Sequence, residues 1–170
     1  MSNEILFSET QKFKQWWLWL ILLGINLLFI FGLFNQVIGK QQFGDHPITD
    51  TGLLLVTGFT FALTILFLTF KLQTQIKSDG IYVRFFPFHL TFRHYTWQSL
   101  IKCFVRKYAP IPEFGGWGLR LGLFGGGKAF NVSGNIGLQL EFTDENRLLI
   151  GTNKPKELTE ALNNIGQLKQ

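Results

Sequence analysis

Two stretches of this chain carry no ionisable side chain: 15–39, bounded by Lys14 and Lys40, and 51–70, bounded by Asp50 and Lys71. A hydrocarbon core of about 30 Å is crossed by roughly 20 helical residues, and a backbone in lipid has to satisfy its own hydrogen bonds, so each stretch suits a spanning helix. The alternative is a pair of core helices in a soluble protein. A chain of 170 residues is too short to surround both. Composition agrees, with 16% charged residues against an ordinary share of about 25%, and nineteen Phe. The expected organisation is a cytoplasmic segment over 1–15, a transmembrane hairpin over 16–72 with helices at about 16–38 and 53–72, and a head over 73–170.

A cleaved secretory leader would have an apolar region of about 7 to 15 residues followed by a small-residue cleavage site, and the first stretch is too long for that. Trp16, Trp17 and Trp19 at its start suit the headgroup level, where an indole keeps one edge wet. Lys12 and Lys14 precede the first helix, and Lys71, Lys77 and Arg84 follow the second. The connection has Lys40 with Asp45 and Asp50. The positive-inside tendency therefore puts both termini in the cytoplasm and the connection outside. Within the spans, Asn26 matches the depth of Thr60 and Thr64 in an antiparallel hairpin, which predicts a helix-to-helix hydrogen bond rather than a transport path.

From Lys71 onward the period changes. Alternation marks Ile81–Phe85, Leu119–Leu123 and Leu138–Phe142 as half-buried strands, with Leu119, Leu121 and Leu123 expected to face inward. Further strands are expected over 72–77, 92–97, 100–108, 128–133 and 147–151, separated by turn clusters such as Ser78-Asp79-Gly80. The short connections make these seven or eight strands mostly antiparallel. The end of the chain is an amphipathic helix over about 155–168, with Leu158, Ala161, Leu162, Ile165 and Leu168 on one stripe behind a Thr152 or Asn153 cap. Such a helix suits the open mouth of a curled sheet. This region carries thirteen Lys or Arg against seven Asp or Glu, whereas the first seventy residues carry three against four. The basic excess is all in the head.

Four features of the head bear on function. Pro110-Ile111-Pro112-Glu113-Phe114-Gly115-Gly116-Trp117-Gly118 combines stiffening prolines with permissive glycines around a large aromatic, and is read as a shaped loop. It serves either as a lid, with Glu113 paired to Arg106 or Arg120, or as a recognition loop presenting Trp117. Arg84, Arg93, Lys102, Arg106, Lys107, Arg120 and Lys128 form a basic set tethered near a leaflet that attracts such charge. Gly122 to Lys128 has phosphate-loop spacing, but Ala129 stands where the magnesium-binding hydroxyl is needed, so the run is read as a glycine hairpin. His89 and His94 near Arg93 have no nucleophile spaced to build a catalytic group with them, and Cys103 alternates with Ile101 and Val105 as a core residue. His46 beside Asp45 is too sparse for a metal, and Asn131-Val132-Ser133 is a glycosylation sequon that a cytoplasmic head would keep from the machinery.

The chain resembles the bacterial membrane proteins that carry two helices followed by a bacterial pleckstrin-homology-like domain. The resemblance rests on Ser78-Asp79-Gly80-Ile81-Tyr82-Val83-Arg84-Phe85, Val105-Arg106-Lys107-Tyr108, Glu113 to Gly118, and Leu149-Ile150-Gly151-Thr152. It implies a split β-barrel of about seven antiparallel strands capped by a C-terminal helix, and no settled activity. The expected function is a membrane-anchored, non-catalytic binding or scaffolding module at the inner face of the cell membrane, with Arg106, Lys107, Glu113, Trp117 and Arg120 as its binding residues. No cofactor, metal or nucleic acid is expected. The partners are the bilayer itself, anionic headgroups, and a protein partner or further copies of the chain. An accessory subunit of a transporter or membrane enzyme is the alternative.

Overall fold

A computed structural model describes residues 4–44, 48–122 and 126–169. The chain divides into two compact units: 14–69, and a head formed by the N-terminal residues to Phe13 together with everything from Phe70 onward.

The first unit is a helical hairpin. Helix α1 (Trp16–Leu33) continues through a wider π turn at Phe34–Ile38, and α2 is Asp50–Thr69. Both are long and apolar enough to cross a membrane, and only 17% and 11% of their apolar windows are buried, which is not how core helices of a soluble protein behave. The buried positions are Leu22, Asn26 and Gly32 on α1 and Leu53, Thr57 and Thr60 on α2, so polar side chains sit among apolar ones at the contact. Asn26 donates from Nδ2 to Thr64 Oγ1 at 2.8 Å and to the Leu22 carbonyl at 2.7 Å, and accepts from Thr60 Oγ1 at 3.2 Å. The depth matching expected from the sequence is therefore found, and the amide is spent on holding the two helices together. Asp45 and His46 of the connection lie outside the described residues.

The head contains nine strands among its described residues. Sheet one is a meander in the order β1 (Ile5–Lys12), β2 (Lys71–Lys77), β3 (Gly80–Phe86), β4 (Arg93–Thr96). Sheet two runs β5 (Leu100–Lys107), β8 (Ile136–Phe142), β9 (Arg147–Gly151), β7 (Lys128–Asn131), β6 (Gly118–Leu121). Every pair is antiparallel except β7 with β9. Among the described residues the strands form two sheets and no closed barrel, so the all-β head is found, with nine strands where about seven antiparallel ones were expected and with one parallel pair. A short helix α3 (Pro110–Phe114) lies between β5 and β6, and α4 (Pro155–Asn164) ends sooner than its apolar stripe suggested.

Alternation explains the core. Leu72 and Ile76 on β2, Ile81, Val83 and Phe85 on β3, Leu138 and Leu140 on β8, and Leu149 and Ile150 on β9 are all essentially inaccessible. Leu158 and Leu162 of α4 join them, and α4 packs on β1 and β5, the first edge strands of the two sheets. The helix thus covers one open side of the two-sheet assembly, as a single-faced terminal helix was expected to do.

Strand β1 was not foreseen; the sequence reading left 1–15 as a segment before the membrane. It pairs with β2 from Phe7↔Ile76 to Lys12↔Lys71, so 13–70 is the connection between two hydrogen-bonded neighbours. Of its inward side chains Phe7 is apolar, but Glu9 and Gln11 are polar. Gln11 Nε2 donates to the Gly151 carbonyl at 2.7 Å, and Glu9 accepts from Thr152 Oγ1 at 2.6 Å and from the Asn153 N–H at 2.9 Å. Glu9 is 6% exposed. A buried carboxylate is tolerated only with such donors, and here they tie the residues before α1 to the residues before α4.

Two other expectations are corrected. Leu119 and Leu121 face outward at 41% and 73% exposure because β6 is an edge strand, while Leu123 lies outside the described residues. Ile101 is exposed although Cys103 is buried, because the β5–β8 register shifts between Leu100 and Lys102 and resets the alternation.

Candidate functional site

Five residues were singled out in the sequence, and the structure ties four of them into the fold. Arg106, on β5, reaches α3 with NH2 2.7 Å from Glu113 Oε2, while its Nε donates to Gln139 Oε1 at 3.1 Å. The second oxygen of Glu113 accepts the Ala109 N–H at 2.7 Å, closing the first turn of α3 in the manner of a capping box. The Arg106 hydrogen bond, ahead of the Ala109 amide, holds the Glu113 carboxyl below its ordinary value. The ring of Phe114 is buried beside Tyr108, Ala129 and Leu149. Trp117 donates from Nε1 to the Gly134 carbonyl at 3.1 Å, and its own carbonyl accepts from Arg120 Nε at 2.9 Å. The Gly118 N–H donates to Asn131 Oδ1 at 2.9 Å, and Asn131 in turn donates to the Tyr108 hydroxyl at 3.1 Å. Arg106 meets Glu113 and Arg120 meets Trp117, but no hydrogen bond or ion pair joins these two pairs among the described residues. Lys107 is exposed. These hydrogen bonds fix the segment from Pro110 to Arg120 against β5, β7 and the residues around Gly134.

A cleft of about 720 Å³ opens elsewhere, beside β4, the edge of sheet one farthest from β1. Its lining includes His94, Tyr95 and Thr96 of β4, Leu121 and Lys128 at the β6–β7 turn, and Phe142 with Arg147 at the β8–β9 turn. The rings of Tyr95 and Phe142 meet at 5.2 Å across the floor. Gly127 stands on the wall with φ of 78°, and a Cβ there would run into the Arg147 carbonyl, so only glycine fits. The hairpin expected at the glycine run is present in its stem, with Leu121 opposite Lys128 and the Gly122 N–H on the Gly127 carbonyl at 2.5 Å. Its apex, 123–125, lies outside the described residues. The sequence did not signal this cleft, because its walls come from four separate turns and strand ends.

Aromatic, basic and acidic side chains share the lining of the cleft. At one rim His94 stacks on Tyr82 with ring centres 4.2 Å apart, and Tyr82 donates to Asp79 Oδ2 at 2.6 Å. That hydrogen bond from Tyr82 is the main reason Asp79 is held below its ordinary value. The Lys77 ammonium lies over the Tyr82 ring, 4.5 Å from its centre. The head's thiol is elsewhere: Cys103 is buried on β5 and desolvation pushes it up to about 12, which leaves almost no thiolate near neutrality. No cluster of three metal-ligating side chains occurs among the described residues.

A family model matches residues 2–166, spanning hairpin and head together. The chain belongs to the family of unknown function DUF6141. Membership in DUF6141 therefore covers β1, both long helices, the two sheets and all of α4. No curated protein and no solved structure matches the chain.

Proposed function

We propose that this protein is a membrane-anchored, non-catalytic binding module whose head, on the inner face of the cell membrane, captures an extended segment of a partner protein in the cleft beside β4. The observation that carries this reading is an open cleft of about 720 Å³ lying against an edge strand that has only one neighbour in its sheet. An edge strand offers a row of main-chain donors and acceptors, and a segment added there gains affinity from the backbone and specificity from side-chain pockets. The rim supplies such specificity, with Tyr95 and Phe142 for an apolar side chain and Lys128 and Arg147 facing Asp144 and Glu145 for mixed charge. The lid formed by Arg106, Glu113, Trp117 and Arg120 is assigned a structural role that holds sheet two in shape.

Two sheets with a C-terminal helix across one side support reading the head as pleckstrin-homology-like, and the lysines flanking the helices support the inward orientation. The test is a photo-reactive side chain placed in intact cells at Leu121, which is 73% exposed at the cleft, and separately at Lys107 on the remote face of β5. The expected result is one discrete adduct from Leu121, lost on Tyr95→Asp, and none from Lys107. Adducts of equal yield from both positions would sink the cleft as the site, and an adduct at twice the chain mass would replace the partner protein with a second copy.

A further inference from the structure

The β3–β4 connection exposes apolar side chains where the head has least reason to. Phe88 is 61% exposed and Leu90 is 74% exposed, while His89 between them is 7% exposed and points inward. His89 fixes the loop: its N–H donates to the Phe85 carbonyl at 2.8 Å, its Nδ1 accepts the Phe85 N–H at 3.3 Å, and its ring lies edge-on to Phe130 at 5.1 Å. Arg84 secures the far side by donating to the Leu90 carbonyl at 3.3 Å. The two apolar side chains are thus held outward by a firm loop.

The place of this loop in the chain is informative. Phe88 stacks on Phe70 with centres 5.6 Å apart, and Phe70 also meets Phe13 at 5.8 Å. Phe70 is the next residue after Thr69, where α2 ends, and Phe13 lies two residues before Gln15, the N-cap of α1. Wherever the two helices leave a bilayer, Phe70 and Phe13 are at its surface by covalent necessity, and Phe88 is one ring away. The last pair of the β1–β2 ladder, at the same end, sets Lys12 directly opposite Lys71. Like charges directly opposite repel, and neither lysine has an ion pair among the described residues. An anionic neighbour outside the protein would offset that repulsion.

We infer that the β3–β4 loop dips into the interface of the same bilayer that holds the helices, with Phe88 and Leu90 at the headgroup–acyl boundary and Lys12 and Lys71 on anionic headgroups. Aromatic and aliphatic side chains flanked by lysine form an interfacial anchor, whose binding adds buried apolar area to electrostatic attraction. The cleft lies at the other end of the sheet from this loop: β4 runs from Arg93 to Thr96, and Thr96 pairs with Gly80 at the opposite end of β3 from Phe86. This inference rests on the membrane-anchored reading but not on the cleft.

The experiment uses the full chain in nanodiscs, with an environment-sensitive fluorophore on single introduced cysteines. Cys103 is 1% exposed and stays unlabelled, which the labelled parent protein checks. Leu90→Cys reports the loop, Leu55→Cys reports the lipid-facing side of α2, and Leu121→Cys reports the cleft. The expected result is that lipid spin-labelled near the headgroup quenches the Leu90 probe, lipid labelled deep in the chain quenches the Leu55 probe, and only aqueous iodide quenches the Leu121 probe. Quenching at Leu90 is expected to be greater in discs containing phosphatidylglycerol than in pure phosphatidylcholine, and Lys71→Gln is expected to remove the difference. If the Leu55 probe is quenched by lipid while the Leu90 probe sees only iodide, the loop inference fails and the anchor stands. If the Leu55 probe itself sees only iodide, the anchor fails and the loop inference with it. Equal quenching at Leu90 in both disc types removes the role given to Lys12 and Lys71.

Discussion

Glu9 is a charged residue with almost no water around it, and both of its carboxylate oxygens are used. Glu9→Ala strands the Thr152 hydroxyl and the Asn153 N–H in a buried place, so a loss of about 2 kcal/mol is expected, read as a lower denaturant midpoint for the full chain in micelles with Trp97 emission as the signal. His89 gives a prediction in pH. Burial, followed by the charge of Arg93, lowers its proton affinity in the fold, and accepting the Phe85 N–H requires an unprotonated Nδ1. The unfolded chain takes up the proton as pH falls below about 6.5 while the folded head resists. The contribution of His89 is therefore complete above that pH and lost as pH falls through the lower folded value. Stability measured from pH 8 to pH 5 should drop on the acid side, with a gentler slope in His89→Gln; parallel slopes would count against the assignment. At this scale the sequence was a partial guide. Opposite charges made the Arg106–Glu113 pair legible, but Arg120 is held by a main-chain carbonyl of Trp117, and a backbone acceptor leaves no mark on residue identity.

The strands expected from period and turn residues are found as β2 to β9, and the reason is plainest in β2 and β3, where apolar side chains are buried at alternate positions, Leu72 and Ile76 on one and Ile81, Val83 and Phe85 on the other. β1 escaped because its inward residues after Phe7 are Glu9 and Gln11, whose burial depends on hydrogen-bond partners 140 or more residues away in sequence. β6 misled for the opposite reason, since an edge strand can keep leucines on a face that the fold leaves open. Separation into two sheets was equally unreadable, because it depends on which strands pair across long connections. Helix α4 was legible in its place and its apolar face but not in its length or cap, since it ends at Asn164 with Lys154 as its N-cap and no side-chain cap, and that face supplies a test of its task. Leu162 is 0% exposed, so Leu162→Ala is expected to cost about 3 kcal/mol. If α4 covers the side between β1 and β5, the same change should raise hydrogen exchange in both of those strands while leaving β3 protected. Uniform exchange across the head would show that the helix is not tied to that side.

For the whole molecule, the pairing of β1 with β2 adds a geometric requirement to a statistical orientation. Lysine counts near the spans favour the inside for both ends, by a small margin. The ladder from Phe7↔Ile76 to Lys12↔Lys71 adds a stricter requirement, since a strand before the first span and a strand after the second cannot pair across a bilayer. Residues before Trp16 and after Thr69 must share one side, and the connection after Ile38 must occupy the other if the helices span. Reporters that are active only outside the inner membrane, fused ahead of Ile5 and after Lys169, should both be silent, and one inserted beside Lys40 should be active. Activity at just one end would break the β1–β2 pairing as well as the topology. Reversing the charge bias with Lys12→Glu and Lys14→Glu discriminates further. If lysines alone set the orientation, the N-terminal reporter should flip by itself. If the ladder and the buried Glu9 contacts govern, the two ends should move together or the protein should be degraded, because the head cannot close without its first strand.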